Sequence, residues 1–192
     1  MAACKWYTRP ICKRLTKENT MQVFLPESNF AKCAEVLDTK RLVKQLLEGR
    51  QIMNVLAGES TSKGWANHPA VRMFEGYEQT LYAYLSAIRF EMQKRGYKWE
   101  KNWTVIQDLY NRHFAKELQS IPFWMSDEKL FNRVVITHRG RLWEKDPIHY
   151  SDYAPEGAVF MEFVCCPDKC TYYWATHNTP LIYLNWEEAA IA

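Results

Sequence analysis

Four polar side chains recur at helical spacing in RLVKQLLEGR, residues 41–50. At 100° per residue, Arg41, Lys44, Gln45 and Glu48 fall within a sector of about 100° on one helix face. A carboxylate there can act as a general acid or base and an amine as a nucleophile or anion clamp, with Arg41 and Gln45 as positioning groups. The same spacing also suits a solvated surface with a Lys44–Glu48 ion pair. Spacing alone leaves both interpretations open.

The helix that carries this polar face is predicted to begin at Asp38 or Thr39, since either side chain can cap a helix. It is predicted to end near Ala57, because Gly58 is a typical helix stop. The apolar residues of the opposite sector are expected to face the core: Leu42, Val43, Leu46 and Leu47.

Three further helices are predicted. The second follows Pro69 and ends at Gly96, the third covers residues 104–118, and the fourth covers residues 127–145 with Gly140 weakening it. Apolar residues three or four apart in the second helix indicate a buried stripe: Met73, Tyr77, Leu81, Tyr84, Leu85, Ile88 and Met92. The sequence therefore predicts a mainly α protein with a single compact helical domain.

Composition divides the chain into three parts. Residues 1–20 contain five basic residues and one acidic residue, whereas the whole chain carries a net charge of only +3. This basic N-terminal extension suits an acidic partner such as nucleic acid. Residues 21–156 form the predicted helical domain. Residues 157–192 are rich in β-branched and aromatic residues around the turn PDK, which predicts a small hairpin packed on the same domain.

No run of 18 apolar residues occurs, so no transmembrane helix is expected. Without a signal-like apolar stretch in residues 1–20, we expect a cytoplasmic location, where cysteines remain reduced or bind metal. Four thiolates, or three of them with His177, have the ligand chemistry of structural zinc: Cys4, Cys12, Cys166 and Cys170. The spacing is not C-x2-C, and a hairpin turn between the last two explains that pair without metal. No cofactor is expected.

Three separated segments resemble the pyrimidine-dimer DNA glycosylase family of the phage endonuclease V type. LDTKRLVKQLLEGR, residues 37–50, resembles its H-L-L-x-E-H-x-E-L helix. NHPAVRMFEGYEQTLYAYLSAIRFEMQKRGY, residues 67–97, resembles its HP-x-x-x-R-W helix that ends in RGY or RGF. HRGRLWEKDPIHYSDY, residues 138–153, resembles its terminal R-L-x-x-K-D-P-x-H-Y segment. The RL-x-KQ and NHPAVRM motifs are most similar to a less characterised bacterial and phage branch of the family.

The resemblance implies a compact helical fold and an enzyme that binds double-stranded DNA and removes a damaged or modified pyrimidine. It places Glu48 at the catalytic carboxylate, with Lys44 beside it. Arg41 stands at the family's His and Gln45 at its first Glu, a shift in charge that suits a phosphate or another anionic ligand. Candidate DNA or substrate contacts are Arg41, Gln45, Asn67, His68, Arg72, His138, Arg139, Arg141, Lys145 and His149. Solvation explains Arg139 and Arg141 equally well, and a capping role explains His68 equally well.

The resemblance leaves the nucleophile open. In this family it is the α-amine exposed by removal of the initiator Met, but here the family-like region begins at Met21, behind 20 further residues. Lys44 could supply an internal amine for a combined glycosylase and lyase reaction, or Glu48 could activate water for base hydrolysis alone. Two other functions remain open: an enzyme that acts on a different modified base or nucleotide, and a non-catalytic nucleic-acid-binding module.

Overall fold

The computed structural model describes residues 21–61, 63–116, 118–154 and 174–176. This part contains seven α-helices and no strand. The helices are α1 (Phe30–Val36), α2 (Thr39–Leu56), α3 (Pro69–Arg72), α4 (Glu78–Lys94), α5 (Glu100–His113), α6 (Phe123–Ser126) and α7 (Glu128–Lys145), with 3₁₀ turns at Lys63–Trp65 and Ser151–Tyr153. The predicted helical class is confirmed. The basic extension, the hairpin and the four cysteines considered for zinc lie outside the described residues.

Helix α2 has the predicted boundaries because its capping chemistry is local. Asp38 is the N-cap, and its carboxylate accepts a hydrogen bond from the Arg41 backbone N–H at 3.0 Å. The helix ends at Leu56, and Gly58 follows with a positive φ of 72°, a conformation that favours glycine.

The predicted second helix is wrong as a single element. His68 caps α3 and Pro69 occupies its first turn, but Gly76 then adopts a φ of 81° and separates α3 from α4. The left-handed backbone at Gly76 stops one helix and lets the next begin in a new direction. The apolar stripe is nevertheless buried as predicted at most of its positions, including Leu81, Leu85 and Ile88.

Other details of the helices also differ from the prediction. Helix α5 begins four residues earlier than the predicted start and ends at His113. Gly140 is buried within a continuous α7, so the helix is not interrupted at this glycine. Helices α1 and α6 were not predicted because each is too short to show a full apolar period.

The core-facing side of α2 is rotated from its predicted position. Val43 and Leu47 are each 39% exposed, whereas Gln45 and Glu48 are buried together with the apolar residues Leu42, Leu46, Ile52 and Met53. The rotation follows from the packing of α2 against both α4 and α5. Gly49 makes this close approach possible, because a Cβ there would lie 2.1 Å from a methyl carbon of Leu85 on α4. Part of the polar face therefore points into the protein.

Residues 21–26 are buried without belonging to a helix. They run across the helices as an extended segment, and Val23, Phe24 and Leu25 are each at most 2% exposed. Helix α1 follows and packs on α4, while α7 packs on α6. None of the helices in the described ranges has the length and apolarity needed to cross a membrane.

Candidate active site

Gln45 on α2 holds the extended segment 21–26 in place. Its Oε1 accepts a hydrogen bond from the Phe24 N–H at 2.9 Å, and its Nε2 donates to the Gln22 carbonyl at 3.2 Å. The amide side chain thus pairs with the backbone as a neighbouring strand would, which satisfies groups that would be costly to bury unpaired. The structure gives Gln45, predicted as a substrate-positioning group, this role toward the protein's own backbone.

Two further side chains complete the support of the extended segment. The Tyr84 hydroxyl lies 2.9 Å from both the Phe24 carbonyl oxygen and Gln45 Oε1. The Leu25 N–H donates to Nδ1 of His138 at 2.9 Å, so this imidazole is neutral at that nitrogen. His138 is completely buried, and desolvation lowers its pKa to about 3. His138, predicted as a DNA hydrogen-bonder, therefore lies inside the protein.

Glu48 is the carboxylate on which these contacts converge. Its Oε1 lies 3.1 Å from Nζ of Lys44, and its Oε2 accepts a hydrogen bond from Gln45 Nε2 at 3.3 Å. The backbone N–H of Gln22 also donates to the carboxylate. Glu48 is only 4% exposed, and this burial raises the pKa of its carboxyl above the ordinary value, although Lys44, Gln22 and Lys145 act in the opposite direction.

Lys44 occupies the boundary between this buried carboxylate and solvent. Its side chain is 49% exposed while that of Glu48 is 6% exposed. A carboxylate with a raised pKa, in contact with a solvent-facing ammonium, is an arrangement suited to proton transfer near the protein surface.

The end of α7 meets the start of α2 through a polar network around Asp38. The Tyr150 hydroxyl donates to Asp38 Oδ2 at 2.6 Å and accepts from the Asp38 N–H at 3.0 Å. Arg41 forms an ion pair with Asp38 and lies 4.0 Å from Asp146, just after α7. Although burial raises the pKa of Asp38, hydrogen bonds from Tyr150 and Arg41 keep it below its usual value. Arg41 thereby fastens α7 to α2, a role that its helical spacing alone did not reveal.

Two cations in the last turn of α7 are also directed toward the start of α2. Arg141 forms an ion pair with Glu144, and Lys145 is the last residue of the helix. Desolvation, together with the charges of Arg141, Arg41 and Lys44, lowers the pKa of Lys145 to about 8. Both α7 cations were predicted as DNA contacts, and the structure brings them to the helix end that faces α2.

Arg139 points to a different part of the fold. Its Nε donates to the Pro26 carbonyl at 2.6 Å, and a terminal nitrogen lies 2.8 Å from Glu27 Oε1. The Tyr153 hydroxyl donates to the same carboxylate at 2.8 Å. Arg139 thus secures the exit of the extended segment 21–26.

The remaining predicted site residues are distributed around α3 and the loop after α7. Arg72 donates to Asn67 Oδ1 at 2.7 Å, and Nδ1 of His68 accepts from the Ala70 N–H at 3.1 Å as a helix cap. His149 lies 3.3 Å from the Val36 carbonyl through its Nε2. These residues do not form one cluster with Glu48, since their partners lie within their own segments or on α1.

Within the described ranges, no group of three or more potential ligands is placed to hold a metal ion. Cys33 is a buried free thiol whose pKa is raised to about 12, chiefly by desolvation, so it is a poor nucleophile and a poor ligand. The chemistry that the site offers is therefore that of a buried carboxylate beside amines and guanidinium groups.

Comparison with known families gives one match. Residues 21–105 match the family model described as pyrimidine dimer DNA glycosylase. The match spans α1 to α4 and the first residues of α5, and it includes Lys44, Gln45 and Glu48. The comparisons with curated proteins and with solved structures give no match. The resemblance predicted from the first two motifs is confirmed, whereas the segment 138–153 lies beyond the matched range.

Proposed function

Because residues 21–105 match the family model of pyrimidine dimer DNA glycosylases, we propose that this protein is a DNA glycosylase that removes a damaged or modified pyrimidine. The observation that carries the proposal is Glu48, a buried carboxylate inside the matched range, in contact with Lys44, Gln45 and the Gln22 amide. Such a group fits a reaction in which a sugar develops positive charge as its base departs.

Glu48 supplies two properties that this reaction needs. Its negative charge stabilises the positive charge that grows on the deoxyribose ring, and this attraction is stronger in a site shielded from water. Its raised pKa brings the carboxyl closer to neutral pH, where proton exchange is more effective. Neighbouring donors hold it in one orientation, so it is preorganised for the transition state.

The nitrogen of Gln22 lies where a family nucleophile would be expected, against the Glu48 carboxylate. In the intact chain this nitrogen is an amide, whose lone pair is delocalised and not nucleophilic. A chain whose first residue were Gln22 would present an α-amine at the same place. In the intact chain, attack must come from a lysine amine or from water activated by Glu48.

The surroundings of Glu48 suit a DNA duplex. Lys44 and Lys145 are exposed cations at the meeting of α2 and α7, where phosphates can be bound. Ile148, in the loop after α7, is 89% exposed. Asp146 fixes this loop by accepting from the backbone N–H groups of His149 and Tyr150. An apolar side chain presented beside cations fits between base steps and favours extrusion of a nucleotide.

Base release from duplex DNA tests the proposal. The full chain is incubated with ultraviolet-irradiated duplex and with duplexes that contain single modified pyrimidines, and released base or cleavable abasic sites are quantified. We expect release by the native protein and a loss of at least about 100-fold in Glu48→Gln. Glu91→Gln is the matched control, because Glu91 also makes an i, i+4 ion pair, with Arg95 on α4.

Two outcomes would replace the proposal by another function. DNA binding that weakens with salt and survives Glu48→Gln, without base release from any substrate, would indicate a non-catalytic nucleic-acid-binding module. Release from a modified nucleotide but not from any duplex would indicate a different substrate for the same carboxylate.

A further inference from the structure

A short piece of the chain beyond α7 packs back onto the helical body. Within residues 174–176, Ala175 is only 1% exposed and belongs to the same hydrophobic core as the helices. Trp174 is partly buried and packs against that core. Both residues lie outside the range that matches the family model, so the match assigns no role to them.

The Trp174 ring contacts two imidazoles that belong to different helices. Its centroid lies 5.2 Å from that of His138 on α7, at an interplanar angle of 67°. It lies 6.4 Å from that of His68, the N-cap of α3, at an interplanar angle of 69°. Both contacts are edge-to-face, an arrangement that aromatic rings prefer. Trp174 therefore packs on α3 and α7 at once, and on α7 it contacts a completely buried side chain.

His138 can bind Leu25 in only one orientation of its ring. Its Nδ1 accepts from the Leu25 N–H at 2.9 Å, and desolvation lowers its pKa to about 3, so the ring remains a neutral acceptor at pH 7. Rotation of the ring by 180° would put a carbon in place of Nδ1, and the torsion that allows this rotation has a broad, roughly two-fold profile. The contacts around the ring must therefore select its orientation, and the Trp174 ring is one of these contacts.

The backbone that His138 binds leads to the carboxylate of Glu48. Leu25 lies in the extended segment three residues after Gln22, whose N–H donates to Glu48. Gln45 holds the same segment and also donates to Glu48. A shift of the segment at Leu25 would therefore displace donors that orient the carboxylate.

We propose that Trp174 is a positioning residue of the candidate active site, which acts by fixing the orientation of the His138 ring. With the ring fixed, the Leu25 N–H keeps its acceptor and the extended segment keeps the Gln22 N–H on the carboxylate. A displacement of about 1 Å at a reacting group can cost about 100-fold in rate, so a contact remote from the chemistry affects catalysis. The catalytic part of this inference rests on the proposed function, whereas the link between Trp174 and Leu25 does not.

Amide hydrogen exchange in the full chain tests the link without any substrate. Trp174→Leu removes the aromatic ring but keeps an apolar side chain. In this variant, exchange at the Leu25 N–H should accelerate at least about 10-fold more than exchange at the N–H of Ile88. Ile88 is fully buried on α4, so its amide reports opening of the whole fold. Trp174→Phe keeps an aromatic edge and should restore most of the protection at Leu25.

Steady-state base release measures the consequence for the carboxylate. In Trp174→Leu, kcat should fall by at least about 10-fold while KM changes by less than about 2-fold, because Glu48 acts in the chemical step. Trp174→Phe should recover most of the native kcat. Trp99→Leu is the matched control, since Trp99 is also partly buried against the core but contacts Arg89. It should leave both kcat and the exchange at Leu25 at their native values.

Other results overturn the assignment. Equal acceleration at Leu25 and Ile88, or no acceleration at either, would show that Trp174 does not act on the extended segment. A higher KM with native kcat would overturn the positioning role and indicate a contact with DNA. Base release that is the same in the native protein and in Trp174→Leu would also overturn it and leave the glycosylase standing. Selective acceleration at Leu25 without base release from any substrate would support the link and overturn the glycosylase.

Discussion

Lys44 Nζ and Glu48 Oε1 lie 3.1 Å apart across the boundary between solvent and the protein interior. The pair has the i, i+4 spacing of an ordinary helix-stabilising ion pair, but the acidic partner is almost completely buried and also binds Gln45 and the Gln22 amide. An ion pair between exposed groups contributes little to stability. This pair mainly sets the charge state of a carboxylate that other groups have fixed in place.

Removal of the Lys44 charge is expected to shift the pH dependence of base release. The ammonium lowers the pKa of Glu48 against the effect of burial, so Lys44→Met should raise that pKa further. In the proposed reaction ionised Glu48 is the productive form, so the acidic limb of kcat/KM should move to higher pH. The matched variant Lys129→Met leaves the limb in place. An unchanged limb in Lys44→Met, with base release intact, would show that Glu48 does not titrate in the reaction.

Gln45→Leu is expected to destabilise the fold by about 2–4 kcal/mol, because it removes two buried hydrogen bonds, from the Phe24 N–H and to the Gln22 carbonyl. The side chains have similar size, so lost hydrogen bonding dominates over lost volume. Gln51→Leu tests the same substitution at an exposed position of the same helix, where we expect a change within about 0.5 kcal/mol. Urea unfolding of both variants measures the difference, and equal changes would contradict the assigned role of Gln45.

Ile148→Ala is expected to reduce base release from duplex DNA more than release from a single strand. The exposed isoleucine lies in a loop fixed by Asp146, and an apolar side chain there would assist unstacking, which a single strand does not require. Leu118→Ala is the control, because Leu118 is 99% exposed and precedes α6. Equal losses on both substrates would exclude a role in unstacking.

The sequence predicted the helical class, both ends of α2 and the residues on its polar face. These features depend on capping side chains and periodicity, which are local. It did not predict which part of that face is buried, because this depends on the close approach of α2 to α4 at Gly49 and Leu85. A small residue within an amphipathic helix is the signal that could have indicated the contact.

In the candidate site, too, the sequence predicted the local features but not those that depend on tertiary contacts. Glu48 and Lys44 share a helix, so spacing and family motifs identified them together. The roles of Gln45 and His138 depend on the extended segment 21–26, whose backbone they bind across 21 and 113 positions of sequence. Residues of the segment carry no pattern that reveals such partners. Lys145 was predicted as a DNA contact, and its position four residues after Arg141, a spacing at which like charges repel on a helix, is one cause of its lowered pKa.

Gly49→Ala is expected to lower stability by about 1–3 kcal/mol, although alanine favours helices by up to about 1 kcal/mol over glycine. The added Cβ would lie 2.1 Å from a methyl carbon of Leu85, and Leu85 is itself fully buried with little room to move. A double-mutant cycle with Leu85→Ala tests the cause. In that background Gly49→Ala should cost much less, whereas an equal cost in both backgrounds would place the strain elsewhere.

His138 is expected to make the fold sensitive to mild acid. Its pKa is lowered to about 3 in the folded protein, so its contribution is present above the unfolded value of about 6.5 and is lost as the pH falls toward 3. Below pH 6.5 this one group reduces the free energy of unfolding by up to about 1.4 kcal/mol per pH unit.

The variant His138→Gln tests this prediction, because glutamine keeps a neutral acceptor for the Leu25 N–H but cannot titrate. Urea unfolding between pH 7.5 and 5 should therefore give a steeper loss for the native protein than for the variant. Other groups that respond to acid, such as His68 and Asp38, are present in both proteins and cancel in the comparison. If the free energy of unfolding fell equally with pH in the native protein and in His138→Gln, His138 would already be protonated or solvated in the folded state.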